Sequence, residues 1–138
     1  MAPQTKLTPN QQSLVPKDKY DSAAIEHLHK LSATALLPLI PALLTWLQDR
    51  NWPIFEPVRA LLLENPELVV GPLRAVLKGT DTEWIENSLN YLVKSLSREF
   101  QVSLKDEMER IRKYPTAEER REEVDILAGE ILDSLRDI

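Results

Sequence analysis

LIPALLTWL at residues 39–47, WPIFEPVRALLL at 52–63, VVGPLRAVL at 69–77 and WIENSLNYLVKSL at 84–96 decide the fold of this chain. In each run apolar residues recur three and four apart, the spacing of one helix face. In the first three, prolines stand at or near the openings, where a helix needs no backbone donor. Ile54, Val58, Leu61 and Leu62 align with Ile85, Leu89, Leu92 and Val93 at an offset of 31, and Pro41 aligns with Pro72. Two successive helical hairpins in one register predict a small helical-repeat protein. Such repeats build binding surfaces.

The pattern extends in both directions. Upstream, Asp21 is an N-cap and Ser22–Leu31 is expected as a helix with Ile25, Leu28 and Leu31 inward. Leu14, Val15 and Pro16 form a short apolar segment able to dock on it, and Ser32 is a second N-cap. Residues 1–13, rich in Pro, Gln and Asn, have little to bury and are expected as a disordered lead-in. Asn51 and Asn65 are expected to cap the helices that follow them. Lys78 and Gly79 read as a helix stop. Thr80 with Glu83, and Thr116 with Glu119, have capping-box spacing. Phe100, Leu104, Met108 and Ile111 predict a helix ending near Tyr114. Val124, Leu127, Ala128, Ile131, Leu132 and Leu135 predict a last one. The Glu and Arg residues over 118–123 give that last helix a solvated opening, as the end of an open stack requires. The expected fold class is all-α, about seven helices in antiparallel pairs, with residues 14–138 as a single domain.

Composition narrows the function. The chain has 138 residues, no cysteine and a formal charge of -5. A domain of this size buries roughly 68% of its unfolded surface and folds without metal or disulfide. The absence of cysteine removes disulfide frameworks, thiolate zinc sites and cysteine nucleophiles. Acidic charge disfavours non-specific contact with nucleic acid. The longest apolar run, residues 35–44, is too short to cross a bilayer. No apolar leader is visible near Met1, and the chain reads as soluble and cytoplasmic.

No reaction centre emerges. His27 and His29, two residues apart on a helix, diverge and do not suit one metal ion. Gly71, Gly79 and Gly129 form no phosphate-cradling loop; close helix packing accounts for Gly71 and Gly129. Asp106 with Arg110, and Glu109 with Lys113, have the spacing of surface ion pairs. Glu56, between Phe55 and Pro57, is the one carboxylate whose setting could desolvate it toward general-base chemistry. The expectation is no enzyme, no cofactor and no metal. Trp46 shares a face with Leu43 and Leu47 and belongs to the core. Trp52 and Trp84 open equivalent helices and either staple those openings or rim a binding groove. Tyr91, two turns beyond Trp84, extends the same strip.

Leu14-Val15-Pro16-Lys17-Asp18-Lys19-Tyr20-Asp21, Trp46-Leu47-Gln48-Asp49-Arg50-Asn51-Trp52-Pro53 and the acidic helix opening at Pro115-Thr116 together give the chain a family likeness. It resembles the bacterial domain-of-unknown-function family 5071 over nearly everything after Ser13. The resemblance implies a short HEAT-like α-α superhelix and no established activity. It directs attention to the opening segment with Lys17 and Asp18, and to the Asn51-Trp52-Pro53 turn, as a shared site.

The function these features predict is a non-catalytic protein-protein interaction module. Trp52, Trp84, Asp49, Arg50, Tyr91, Lys17 and Asp18 are its expected contact residues and another protein is its partner. A bacterial immunity or regulatory protein that neutralises a basic toxin is one specific form. A nucleic-acid-binding helical repeat is the alternative, requiring Arg50, Arg59, Arg74 and Lys78 to converge on one face.

Overall fold

Prolines and local caps divide the chain into short helices that share one apolar core. The computed structural model describes residues 6–136, and every regular element among them is helical, with no strand. A helical turn, α1 (Pro9–Gln12), precedes α2 (Ser22–Leu28), α3 (Ala33–Leu36) and α4 (Ile40–Leu44). Then come α5 (Phe55–Leu63), α6 (Pro66–Leu77) and α7 (Thr82–Tyr91). The C-terminal part holds α8 (Arg98–Ser103), α9 (Lys105–Lys113), α10 (Ala117–Arg121) and α11 (Val124–Ser134). Tight 3-10 turns at Leu37–Leu39 and Thr45–Leu47 flank α4, and another at Val93–Ser95 follows α7.

The division is finer than seven helices, for local reasons. Pro38 and Pro41 each lack a backbone donor, so residues 33–47 alternate between α and 3-10 bonding instead of forming one helix. The expected sixth helix breaks at Leu104, and the seventh breaks at Glu123, whose φ is 60°. The first helix stops at Leu28 rather than Leu31.

Some caps fall where expected and others do not. Asp21 accepts from the Ala24 amide at 3.3 Å and Ser32 from the Ala35 amide at 3.2 Å. Thr116 and Glu119 form a reciprocal capping box. Thr80 does not cap α7; Asp81 does, accepting from the Trp84 amide at 3.1 Å. The Asn51 amide donates to its neighbour Asp49, and α5 begins only after Ile54. Asn65 turns its side-chain amide back to the Leu61 carbonyl at 3.0 Å, closing α5 instead of capping α6. The lead-in is not wholly disordered: Thr8 and Gln11 cap one another around α1, while residues 1–5 lie outside the described set. Gly71 is exposed and a Cβ there would touch nothing, so close packing does not explain it.

One hydrophobic cluster runs from Ile25 to Leu135. The positions aligned at the 31-residue offset are all buried: Ile54 with Ile85, Val58 with Leu89, Leu61 with Leu92, Leu62 with Val93. In this cluster α4 lies against α6, and α6 lies against α7, α8 and α9. Helix α2 packs on α5, α7 on α11, and α11 on α9. Leu14 and Val15 pack against the same core, as their apolar character predicts.

Short helices leave many terminal carbonyls without an intrahelical donor. Here side chains from other elements supply it. Trp84 Nε1 donates to Leu44 O at 2.9 Å and Asn87 Nδ2 to Leu47 O at 2.9 Å. Arg59 Nε donates to Tyr91 O at 2.7 Å, Arg74 Nη2 to Ser103 O at 2.9 Å and Arg110 Nη2 to Leu77 O at 3.3 Å. These donors fix where each helix stops and lock it to its neighbour.

Candidate functional site

The opening segment and the turn after Trp46 meet. Residues 17–21 are held by their own carboxylates: Asp21 Oδ2 accepts from the Lys17 amide at 3.0 Å, and Asp18 Oδ1 from the Tyr20 amide at 2.9 Å. The Lys19 carbonyl then accepts from the Ile54 amide at 3.1 Å. That bond joins the segment to the turn running from Asp49 through Trp52 into α5. The turn is fixed in the same way, with Asp49 Oδ1 accepting from the Asn51 amide at 2.8 Å. Asp18 and Asp49 therefore hold backbone in place; Lys17, Asp18 and Arg50 are exposed, and Asp49 is half-buried.

The aromatic residues divide into two kinds. Trp52 is half-buried and meets Trp46 edge to face, with ring centroids 5.4 Å apart. Trp84 is half-buried with its indole N–H satisfied by Leu44 O. Both rings pack on the elements that precede them in the chain. Tyr91 packs edge to face on Phe55 at 5.2 Å, and its hydroxyl oxygen accepts from Arg50 Nη1 at 3.1 Å. Tyr20, by contrast, is 66% exposed, with Lys19 Nζ 5.4 Å from its ring centroid. The Ile54–Lys19 bond thus joins the segment carrying Lys17 and Asp18 to the turn carrying Asp49, Arg50 and Trp52, while Arg50 reaches Tyr91 and Trp84 lies against α4. Tyr20 is not among the contact residues expected from the sequence. It sits among charged residues and has no apolar periodicity to mark it.

An acidic strip adjoins Arg50. Burial pushes the Glu86 carboxyl above the ordinary carboxylate range, and repulsion from Glu122 and Glu83 adds to this, while Arg50 opposes it. Arg50 itself is held above its ordinary value, mainly by its hydrogen bond with the Tyr91 hydroxyl.

The other candidates find partners inside the molecule. Glu56 is exposed and pairs with Arg59 at 2.7 Å, so the desolvated setting expected of a general base is not present. His29 Nδ1 lies 3.0 Å from Glu64 Oε1, joining the ends of α2 and α5. Among the described residues no three His, Asp or Glu side chains are placed to hold a metal ion. Arg110 does not pair with Asp106; it forks onto Glu119 at 2.6 and 3.0 Å. Lys113 does pair with Glu109, at 3.7 Å. No helix among the described residues is long and apolar enough to cross a membrane.

No curated protein matches the chain. A family model does, over residues 14–132, spanning both the opening segment and the Trp52 turn as well as the acidic helix. The chain belongs to the family described as Domain of unknown function (DUF5071).

Proposed function

We propose that the protein is a non-catalytic interaction module of HEAT-like form that captures another protein on the rim where its opening segment meets the Trp52 turn. One observation carries this: Tyr20 stands 66% exposed on a segment pinned by Asp18, Asp21 and the Ile54–Lys19 bond. An exposed aromatic on an ordered support loses little conformational freedom on binding and is a typical recognition anchor. Lys17, Arg50, Asp18 and Asp49 supply polar contacts around it.

The repeat form draws support from packing as well as from sequence. Pro41 and Pro72, equivalent at the 31-residue offset, line one groove. Helices α4, α6 and α9 follow one another as neighbours, and α7 packs on both α6 and α11. An immunity or regulatory protein facing a basic toxin is one version of this reading. The acidic strip of Glu83, Glu86 and Glu122 suits such a partner. The nucleic-acid alternative fits less well. Arg59 and Arg74 are committed to the carbonyls of Tyr91 and Ser103 and to Glu56 and Glu107, and Arg50 is held by Tyr91.

Affinity capture from the cells that make the protein tests the proposal. Wild-type protein is expected to retain a defined partner that Tyr20→Ala combined with Lys17→Ala releases. Tyr114→Ala, which removes an equally exposed aromatic elsewhere, should keep it. Identical recovery by all three baits would rule out this rim.

A further inference from the structure

A second surface, sharing no residue with that rim, has the composition of a ligand site. A cleft of about 150 Å³ lies between α8, α9 and the end of α11. Arg98, Lys105 and Arg136 line it, together with Val102, Leu132 and Leu135. Three cations converging on one cleft is unexpected in a chain of charge -5. Among the described residues none of the three makes a salt bridge. The one carboxylate in the lining, Glu109, already pairs with Lys113 at 3.7 Å. Arg98 Nη2 donates to the Leu135 carbonyl, which fixes its guanidinium at the cleft wall and leaves its other donors available.

We propose that this cleft binds an aliphatic carboxylate, the anion between Lys105, Arg136 and Arg98 and the hydrocarbon body against Val102, Leu132 and Leu135. The three cations answer one negative charge through charge-assisted hydrogen bonds. The apolar floor answers a branched hydrocarbon and has nothing to offer a fully hydrated phosphate dianion. Val102 is 47% exposed here, an apolar surface that such a ligand covers. The small volume favours a short hydrocarbon body over a long one. The same group occurs as a free short-chain acid and as the carboxylate end of a polypeptide finishing in leucine or valine.

Titration of the full chain with isovalerate, followed by methyl NMR, tests the proposal. Saturable shifts at Val102, Leu132 and Leu135 are expected, and the neutral isostere isovaleramide should produce none that saturate. Lys105→Gln with Arg136→Gln, two exposed side chains that make no hydrogen bond within the described residues, should weaken isovalerate at least about tenfold. Equal responses to acid and amide would overturn the proposal, as would an unchanged affinity in the double variant. Displacement by inorganic phosphate at equal or lower concentration would do the same. A leucine-ended peptide with a free carboxylate, compared with its C-terminal amide, separates the two sources: tighter binding than isovalerate identifies a chain end, weaker binding a free acid. Tyr20→Ala should leave these shifts intact, so failure of the interaction rim and failure of this cleft remain distinguishable.

Discussion

Glu119 shows how a surface-looking residue becomes structural. Its neighbours Glu118, Arg120 and Arg121 are exposed, yet Glu119 is 1% exposed. Both carboxylate oxygens meet the Arg110 guanidinium, and Oε1 also accepts from the Thr116 amide at 2.8 Å. Burial alone would raise its pKa. The Arg110 hydrogen bonds, the Thr116 amide and the Arg110 charge outweigh burial and hold it below the ordinary value. A folded pKa below the unfolded one gives stability that is complete above the unfolded value, about 4.3, and is lost as pH falls through the folded value. Glu119→Gln is therefore expected to cost about 2 kcal/mol at pH 7 by urea denaturation, with Arg110 partly screened by solvent. The difference from wild type should shrink below about pH 4 as the native carboxylate protonates. A penalty that is constant from pH 7 to pH 3 would show that charge is not what Glu119 contributes.

At the scale of elements, the sequence discloses faces better than breaks. The aligned positions at the 31-residue offset are buried as a set because helical periodicity reports directly which side meets the core. The break at Leu104 leaves no trace in the pattern. Phe100, Leu104, Met108 and Ile111 keep helical spacing across it, and the feature that accompanies the break is a distant one, Arg74 donating to the Ser103 carbonyl. The same applies to Trp84. Its position at a helix opening is legible, but its role depends on the Leu44 carbonyl forty residues away. The break at Glu123 becomes legible only once the burial of Glu119 is known. The buried positions Glu119 and Val124 are five apart, a step that turns a continuous helix by about 140° and would throw one of them to solvent. A single residue at φ 60° restores the phase, so α10 and α11 both present their inner faces. That conformation is costly for a residue with a Cβ and free for glycine. Glu123→Gly should raise stability by about 0.5–1 kcal/mol, or the melting temperature by about 2–5 °C. Glu123→Gln, which removes only the charge, should recover less of that gain. A lower melting temperature for the glycine variant would mean that the elbow is held by the glutamate side chain itself.

For the whole molecule the question is whether a chain of short helices unfolds as one body or repeat by repeat. Open repeat arrays with weak interfaces lose their ends first. Two features of this chain oppose that. Its apolar cluster is continuous from Ile25 to Leu135, and α11 packs on α7 as well as on its sequence neighbours α9 and α10. The side chains that close helix ends also reach across units: Arg110 of α9 closes α6, and Arg59 of α5 closes α7. Losing α9–α11 would strip α6 of cover and of its Arg110 cap, and α7 of the cover that α11 provides, so the remaining helices have no stable form without them. Unfolding is expected to be two-state. The tryptophans make the test direct, because Trp46, Trp52 and Trp84 all lie between residues 46 and 84, whereas α8–α11 hold none. Tryptophan fluorescence then follows the middle of the molecule, and circular dichroism at 222 nm follows every helix. The two urea transitions should superimpose, with one midpoint and a slope of about 1–3 kcal/mol per molar. A dichroism transition that begins at lower urea than the fluorescence transition would reveal an end that melts alone, and the interlocking of helix ends would not be enough to make the stack a single cooperative unit.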